Sequence, residues 1–310
     1  MIRGVPRRLL SGLILVWLVL SLTFLLLDLA PGDPAQRTLD PRVPRAQRDL
    51  FRRAWGLDAP VPERYGRWLA AVARGDWGVS LRLHVSVREV IGRSLPYTLT
   101  LTGAALIVQF TLGIAGGLLA ARRQGWIDRL ARGVSQGLYS LPLFWLGLMA
   151  ILMFSLRLGW LPPGGPGEGS DRLRHLVLPA LVLGIGSLGP VLRLTRNLVR
   201  DALDRDFVRA ARARGAGPAR ILWIHALPHA APSLCQSLGV ALPALLSGSL
   251  ITEVVFAWPG LGRVTWEAVL ARDVPVVMAT TALGAVAVVA ALLLADLLQA
   301  ALDPRLRHAA

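Results

Sequence analysis

The chain has 310 residues, 54% hydrophobic and only 17% charged, with a mean hydropathy of +0.53 and a net charge of +15. Soluble domains carry roughly 25% charged residues, so this balance excludes a disordered chain and argues against a soluble globule. All 34 basic residues are arginine, and the missing lysine excludes a Walker-type ATPase site, a pyridoxal Schiff base and the usual kinase fold.

A hydrocarbon core of about 30 Å needs roughly 20 apolar residues in helical geometry. Uncharged runs of that order cover 9–27, 94–121, 133–156, 176–192, 230–252 and 274–295. They predict an all-α integral membrane protein with six transmembrane helices. The first run follows Arg7-Arg8 as in a signal peptide, but it is longer than the usual h-region and no small-x-small site precedes Asp28, so it reads as a retained anchor. The fourth run is short and holds Pro179, Gly184, Gly186, Gly189 and Pro190. Such residues are tolerated in spans whose backbone is covered by neighbours.

Arginine placement sets the expected orientation. With both termini cytoplasmic, the short cytoplasmic pieces hold 17 arginines and the two short external loops hold 5. Deleting the fourth span would move the arginine-rich loop 193–229 outside, against the positive-inside rule. Residues 31–93 then form a long external block, too small for a sizeable core of its own. Within it Tyr65, Trp68, Leu69 and Val72 recur at helical spacing, and Trp55, Trp68 and Trp77 suit the headgroup level. The expected division is residues 1–93, one span plus the external segment, and 94–310, a five-helix domain.

Loop 193–229 is the most informative segment. Leu203, Phe207, Ala210 and Ala211 share one helical face. Gly215 is placed to stop that helix, and Gly217-Pro218 to start another that runs through Ile221-Leu222-Trp223-Ile224 toward Pro228. The segment 201–228 therefore reads as a cytoplasmic helix–turn–helix hairpin. Anchored at both ends to spans, it is poorly placed to enter a DNA groove. Attraction to anionic lipid explains the arginines but not the paired helices. A docking site for a partner protein explains the paired helices, the glycine turn and the apolar stripe together.

Other candidate sites are weaker. Asp28, Glu253 and Asp296 lie in or at the ends of spans, where a carboxylate raises a proton-relay hypothesis. Placement at the interface or pairing with arginine is the simpler expectation for all three. His225 and His229 are spaced i, i+4, but Pro228 falls between them and no third ligand is near, so no metal site is expected. The lone Cys235 excludes an internal disulfide and Cys-based zinc, and no nucleophile–base constellation is legible, so no catalytic residue or cofactor is assigned.

Arg209, Ala210, Ala211, Gly215, His225, Leu227 and Pro228 resemble the EAA loop of bacterial ABC importer permeases, E-A-A-x3-G-x9-I-x-L-P, with Arg209 at the Glu position and His225 at the Ile position. Both departures are similar to the dipeptide/oligopeptide/nickel branch. So are Leu29-Ala30-Pro31-Gly32-Asp33-Pro34, Arg93-Ser94-Leu95-Pro96, Ser140-Leu141-Pro142-Leu143-Phe144-Trp145-Leu146-Gly147, Glu253-Val254-Val255-Phe256-Ala257-Trp258-Pro259-Gly260-Leu261-Gly262 and Leu302-Asp303-Pro304-Arg305. The long block after the first span resembles the B-type, first permease of such pairs.

The resemblance implies a type I importer permease in the bacterial inner membrane, translocating di- or oligopeptides. It implies as partners a C-type second permease in a heterodimer, two ATPase subunits that bind ATP and magnesium, and an extracytoplasmic binding protein. It assigns the seven loop residues to ATPase coupling: Gly215 sets the lever's angle, Ala210 and Ala211 permit close approach, and Pro228 ends the second helix before the fifth span. An ion-coupled secondary transporter and an integral-membrane hydrolase are the competing readings.

Overall fold

The computed structural model describes residues 5–29, 58–123 and 125–302. Trp55, residues 30–34 of the first family-like motif and Asp303-Pro304-Arg305 lie outside them. The described residues are helical apart from connections and one isolated bridge, Val79 to Ser86. In chain order the helices are α1 (Val5–Leu29), α2 (Val61–Ala73), α3 (Val87–Arg122), α4 (Trp126–Ser140) and α5 (Leu143–Ala150), the last prolonged by a π turn over Ile151–Arg157. There follow α6 (Arg172–Gly186), α7 (Gly189–Leu203), α8 (Asp206–Ala213), α9 (Pro218–Val255), α10 (Leu261–Ala271) and α11 (Val274–Leu302).

Four helices, α1, α3, α9 and α11, are long and apolar enough to cross a membrane alone. The other two expected spans are bent pairs: α4 with α5 at 100° and α6 with α7 at 54°. The uncharged run 133–156 predicts one span; the structure breaks it at Leu141-Pro142. Proline lacks an N–H and pushes the residue before it out of the helical region, and Leu141 is extended at φ −83°, ψ 134°. The second break falls at Ser187-Leu188, just before Gly189-Pro190.

A break inside a membrane leaves backbone groups that no water can satisfy. At the second break one buried side chain supplies a partner, and another ties α4 to the start of α7. The Gln109 side-chain amide of α3 donates to the Ser187 carbonyl at 2.8 Å, and the Ser135 hydroxyl of α4 donates to the Gly189 carbonyl at 3.2 Å. Arg193 in turn donates to the Ser135 oxygen at 2.9 Å. Gln109 and Ser135 are both buried.

Reach this short requires α3 and α7 to lie close, and glycines allow it. A Cβ on Gly113 would lie 2.9 Å from Val191 Cγ1, and one on Gly117 would lie 2.6 Å from Thr195 Cβ and 2.8 Å from the Leu192 carbonyl. Small residues at membrane helix crossings let backbones gain dispersion contacts that a hydrophobic effect cannot supply there. The same device recurs where Gly184 of α6 meets Ala105 and Val108, and where Gly239 of α9 meets Ala295 of α11.

The α1 helix lies on α11 through Gly12 and Val289, and its Leu20 and Phe24 pack with Met278 and Ala282. The sequence-expected face of α2 is the face that packs. Tyr65 and Trp68 lie 5.2 and 6.4 Å from the Phe24 ring, and the hydroxyls of Ser21 and Tyr65 are 2.7 Å apart.

Overpacking a crowded crossing costs about 1–3 kcal/mol. Gly117→Ala is therefore expected to lower the thermal unfolding midpoint of the detergent-solubilised protein. Gly103→Ala, whose Cβ meets nothing within 4 Å, should leave it unchanged or slightly raised.

Candidate functional site: a hairpin between two spans

The hairpin forms where the sequence places it. Arg205, in extended conformation, precedes α8, which ends at Ala213. Gly215 then adopts φ +84°, a left-handed conformation that strains any side chain even though the space beside it is open. Two hydrogen bonds close the end: Gly215 N–H to the Arg212 carbonyl at 2.9 Å and Ala216 N–H to the Ala211 carbonyl at 3.0 Å. This is a Schellman cap, in which the glycine reverses the chain while the last carbonyls stay satisfied. Gly217 is extended, and Pro218 occupies the first turn of α9, where its missing N–H leaves nothing unpaired.

The buried face of α8 differs from the expected stripe. Val208 and Ala211 are buried against the start of α9, whereas Phe207 and Ala210 are exposed. An eight-residue helix laid across another buries a narrow i, i+3 strip. The Phe207 ring instead meets His229, with centroids 5.3 Å apart. Arg209 is exposed, His225 and Leu227 are half-buried, and Pro228 is exposed.

Pro228 does not end a helix. The helix runs unbroken from Pro218 to Val255, through a π turn over Ile221–Ala226 in which the Leu227 N–H reaches back five residues to the Leu222 carbonyl. That widened turn, one residue before the proline, accommodates a ring that would otherwise clash with the carbonyl four residues back. Below it the hairpin base is a core of Leu118 and Ala121 from α3, Val199 and Ala202 from α7, and Leu222, Ala226, Ala230 and Leu234 from α9.

Two of the three span-end carboxylates behave as expected. Asp28 pairs with Arg64 of α2, and Asp296 pairs with Arg8 of α1. Glu253 departs from that expectation: it is fully buried, and among the described residues no guanidinium pairs with it. Its carboxylate accepts from the Thr98 hydroxyl at 2.7 Å and from the Arg263 backbone N–H at 3.0 Å, while Thr98 Oγ1 accepts from the Leu261 N–H at 2.7 Å. The carboxylate thus caps the N-terminus of α10, where the first N–H groups lack intrahelical partners and the helix dipole favours an anion. A Cβ on Gly260 would lie 2.4 Å from the carboxylate, and one on Gly262 would lie 2.8 Å from Oε2. Glycine is thereby required at both ends of Gly260-Leu261-Gly262. Trp258 closes the turn, its indole N–H donating to the Tyr97 carbonyl at 2.9 Å.

Outside the spans, Glu267 of α10 is held by Arg82 at 2.6 Å and Arg263 at 2.9 Å. Burial alone would raise its carboxyl, and the two guanidiniums outweigh burial, holding it below the usual range. Nearby the Ser80 hydroxyl donates to Asp273.

One buried pair was missed in sequence. Asp128 of α4, the sole acid between Glu89 and Glu168, accepts two hydrogen bonds from the Arg196 guanidinium of α7, one of them at 2.8 Å. Arg132 and Arg200 stand further off at 3.4 and 3.9 Å. The signal was that lone acid amid the basic 122–132 stretch.

Residues 113–308 match the family described as binding-protein-dependent transport system inner membrane component, and residues 1–102 match its N-terminal companion. The chain belongs to that family. It is accordingly a multi-pass inner-membrane transport component and not itself an enzyme. Curated relatives span the same length. The oligopeptide transport system permease protein AppB of Bacillus subtilis is 35% identical, covering 97% of this chain and 98% of its own. The di/tripeptide permease protein DppB of Pseudomonas aeruginosa is 35% identical over 94% of each chain. The glutathione permease protein GsiC of Escherichia coli K12 is 34% identical over 99% of this chain and all of its own. Among solved structures, the inward-facing MetNI methionine ABC transporter aligns with a TM-score of 0.59 at 22% identity, covering 69% of this chain and 96% of that one. That likeness shows the fold.

Removing Asp128 leaves the half-buried Arg196 guanidinium without the carboxylate that accepts both of its hydrogen bonds. Asp128→Ala should therefore lower the unfolding midpoint in detergent far more than Arg132→Ala, whose side chain is 54% exposed. The double variant Asp128→Ala/Arg196→Ala should recover part of the loss.

Proposed function

We propose that this chain is the B-type permease of a heterodimeric ABC importer that carries small peptides. The observation behind the peptide assignment is the end-to-end similarity to proteins named as oligopeptide, di/tripeptide and glutathione permeases. ATP and magnesium bind in separate ATPase subunits; a chain without lysine has no P-loop to neutralise phosphates. An extracytoplasmic binding protein delivers the substrate, and the second permease completes the path. Recognition then rests in a soluble pocket that can contact the ligand closely, leaving the shared path weakly selective.

Both termini are cytoplasmic in this reading, residues 1–93 supply one span and the external segment, and 94–310 form the permease domain. Arg209, Ala210, Ala211, Gly215, His225, Leu227 and Pro228 belong to the ATPase-coupling hairpin. Gly215 sets the angle between α8 and α9, Ala210 presents a small exposed surface to the ATPase, and buried Ala211 lets α8 lie close to α9. The hairpin's base continues into packed spans, so displacement at its tip carries into α7 and α9. A secondary transporter driven by Asp296 finds less support, because that carboxylate is engaged by Arg8.

The test is ATP-driven peptide uptake in liposomes holding this chain, its partner permease, the ATPase pair and the binding protein. Gly215→Val forces a β-branched residue into positive φ and should cut uptake at least about tenfold, a barrier change near 1.4 kcal/mol. Arg200→Ala should stay within about twofold, because its half-buried side chain makes only a long 3.9 Å ion pair with Asp128 and lies outside the hairpin. Equal uptake by both variants would remove the hairpin from the mechanism. Uphill uptake by this chain alone, driven by a proton gradient and lost in Asp296→Asn, would overturn the importer reading.

A further inference from the structure

The hairpin carries a charge pattern that its own fold does not use. Arg205, Arg209, Arg212, Arg214 and Arg220 are all exposed. Among the described residues only Arg209 has an acidic partner, the exposed Asp206 at 3.6 Å. The Schellman turn at Gly215 brings Arg212 and Arg214 to the tip, and Arg220 follows in the first turn of α9.

The length of α9 says what this tip can meet. Its 38 residues span about 57 Å, roughly 27 Å more than the hydrocarbon core. The uncharged stretch 230–252 fills the core, and Glu253 at its far end is capped by α10. The excess therefore lies on the hairpin side, with Pro218 about 18 Å and Arg220 about 15 Å beyond residue 230. Headgroups occupy only about 5–8 Å per leaflet. Exposed Trp223 and Ile224 stand at about 10 Å, near the headgroup boundary that suits an indole. The arginine tip stands past it, about a Debye length from the lipid charge at physiological salt.

We propose that the tip docks into a carboxylate-lined groove on the ATPase subunit, with Arg212, Arg214 and Arg220 as its charged contacts and Trp223 and Ile224 left to the lipid interface. This rests on the reading of the hairpin as the ATPase docking element. Arginine suits the task because its planar fork binds carboxylates bidentately and it cannot lose its charge. Charge-matched docking of this kind depends on ionic strength and fails on charge reversal.

The experiment uses the full assembly in nanodiscs of neutral phosphatidylcholine. Retention of the ATPase subunits is measured from about 0.05 M to about 0.5 M salt. In parallel, Ala219→Cys on a Cys235→Ala background is crosslinked to the ATPase. Wild-type retention should fall with salt. Arg212→Glu/Arg214→Glu should weaken it at least about tenfold with an unchanged unfolding midpoint, and the glutamine pair should fall between. A crosslink with retention indifferent to salt and charge would overturn the acidic groove while leaving docking intact. No crosslink despite retained ATPase would overturn the docking reading and the proposal together. Retention that appears only when anionic lipid is added would assign the arginines to headgroups and overturn the proposal.

Discussion

Hydrocarbon offers no hydrogen bonds, so every backbone group freed inside a span must find its partner in the protein. Two helix pairs of this chain are bent, by 100° and 54°, and at the second bend that constraint organises the packing. The amide of Gln109 reaches the Ser187 carbonyl only because α3 and α7 are in close contact. They are in close contact only because Gly113 and Gly117 present no Cβ to Val191 and Thr195. Ser135 hydrogen-bonds the Gly189 carbonyl at the start of α7 and so holds α4 at the same bend, and the Asp128–Arg196 pair anchors α4 to α7 nearby. Bend, glycine crossing and buried ion pair are thus one solution to one problem.

The base of the hairpin is part of that assembly. Leu118, Val199, Ala202 and Leu222 pack at its base, so α8 and the start of α9 extend a core formed by α3, α7 and α9. At the other end of α9, Glu253 captures the first N–H groups of α10, and Trp258 ties the turn to α3. One long helix therefore joins the hairpin to the opposite end of the bundle. A π turn in place of a break at Pro228 is what keeps it continuous.

Features carried by local chemistry were legible in the sequence. Gly215 and Gly217-Pro218 punctuate the hairpin because positive φ and a first-turn proline are properties of single residues. The packing face of α2 followed from the spacing of Tyr65, Trp68, Leu69 and Val72. Asp28 and Asp296 find arginines, as charges at span ends do, although Asp296 takes Arg8 from the other end of the chain. Features that depend on a distant partner were not legible. Hydropathy merges 133–156 into one span because Pro142 is itself uncharged. Glu253 read as a charge at an interface because the donors that satisfy it are backbone N–H groups, present at every helix start and invisible to a reading of side chains. Pro228 read as a terminator because a π turn leaves no mark in composition.

A hairpin packed in this way is expected to move as one body with the span ends beneath it. Distance measurements between spin labels at Arg209→Cys and Leu119→Cys, both exposed sites, test it in the reconstituted assembly on a Cys235→Ala background. The 209–119 distance should be the same in the nucleotide-free and ATP-trapped states. The distance from a label at position 219 to the second permease's hairpin should shift between those states. A 209–119 distance that changes or broadens with nucleotide, while the hairpin-to-hairpin distance holds, would contradict motion as one body.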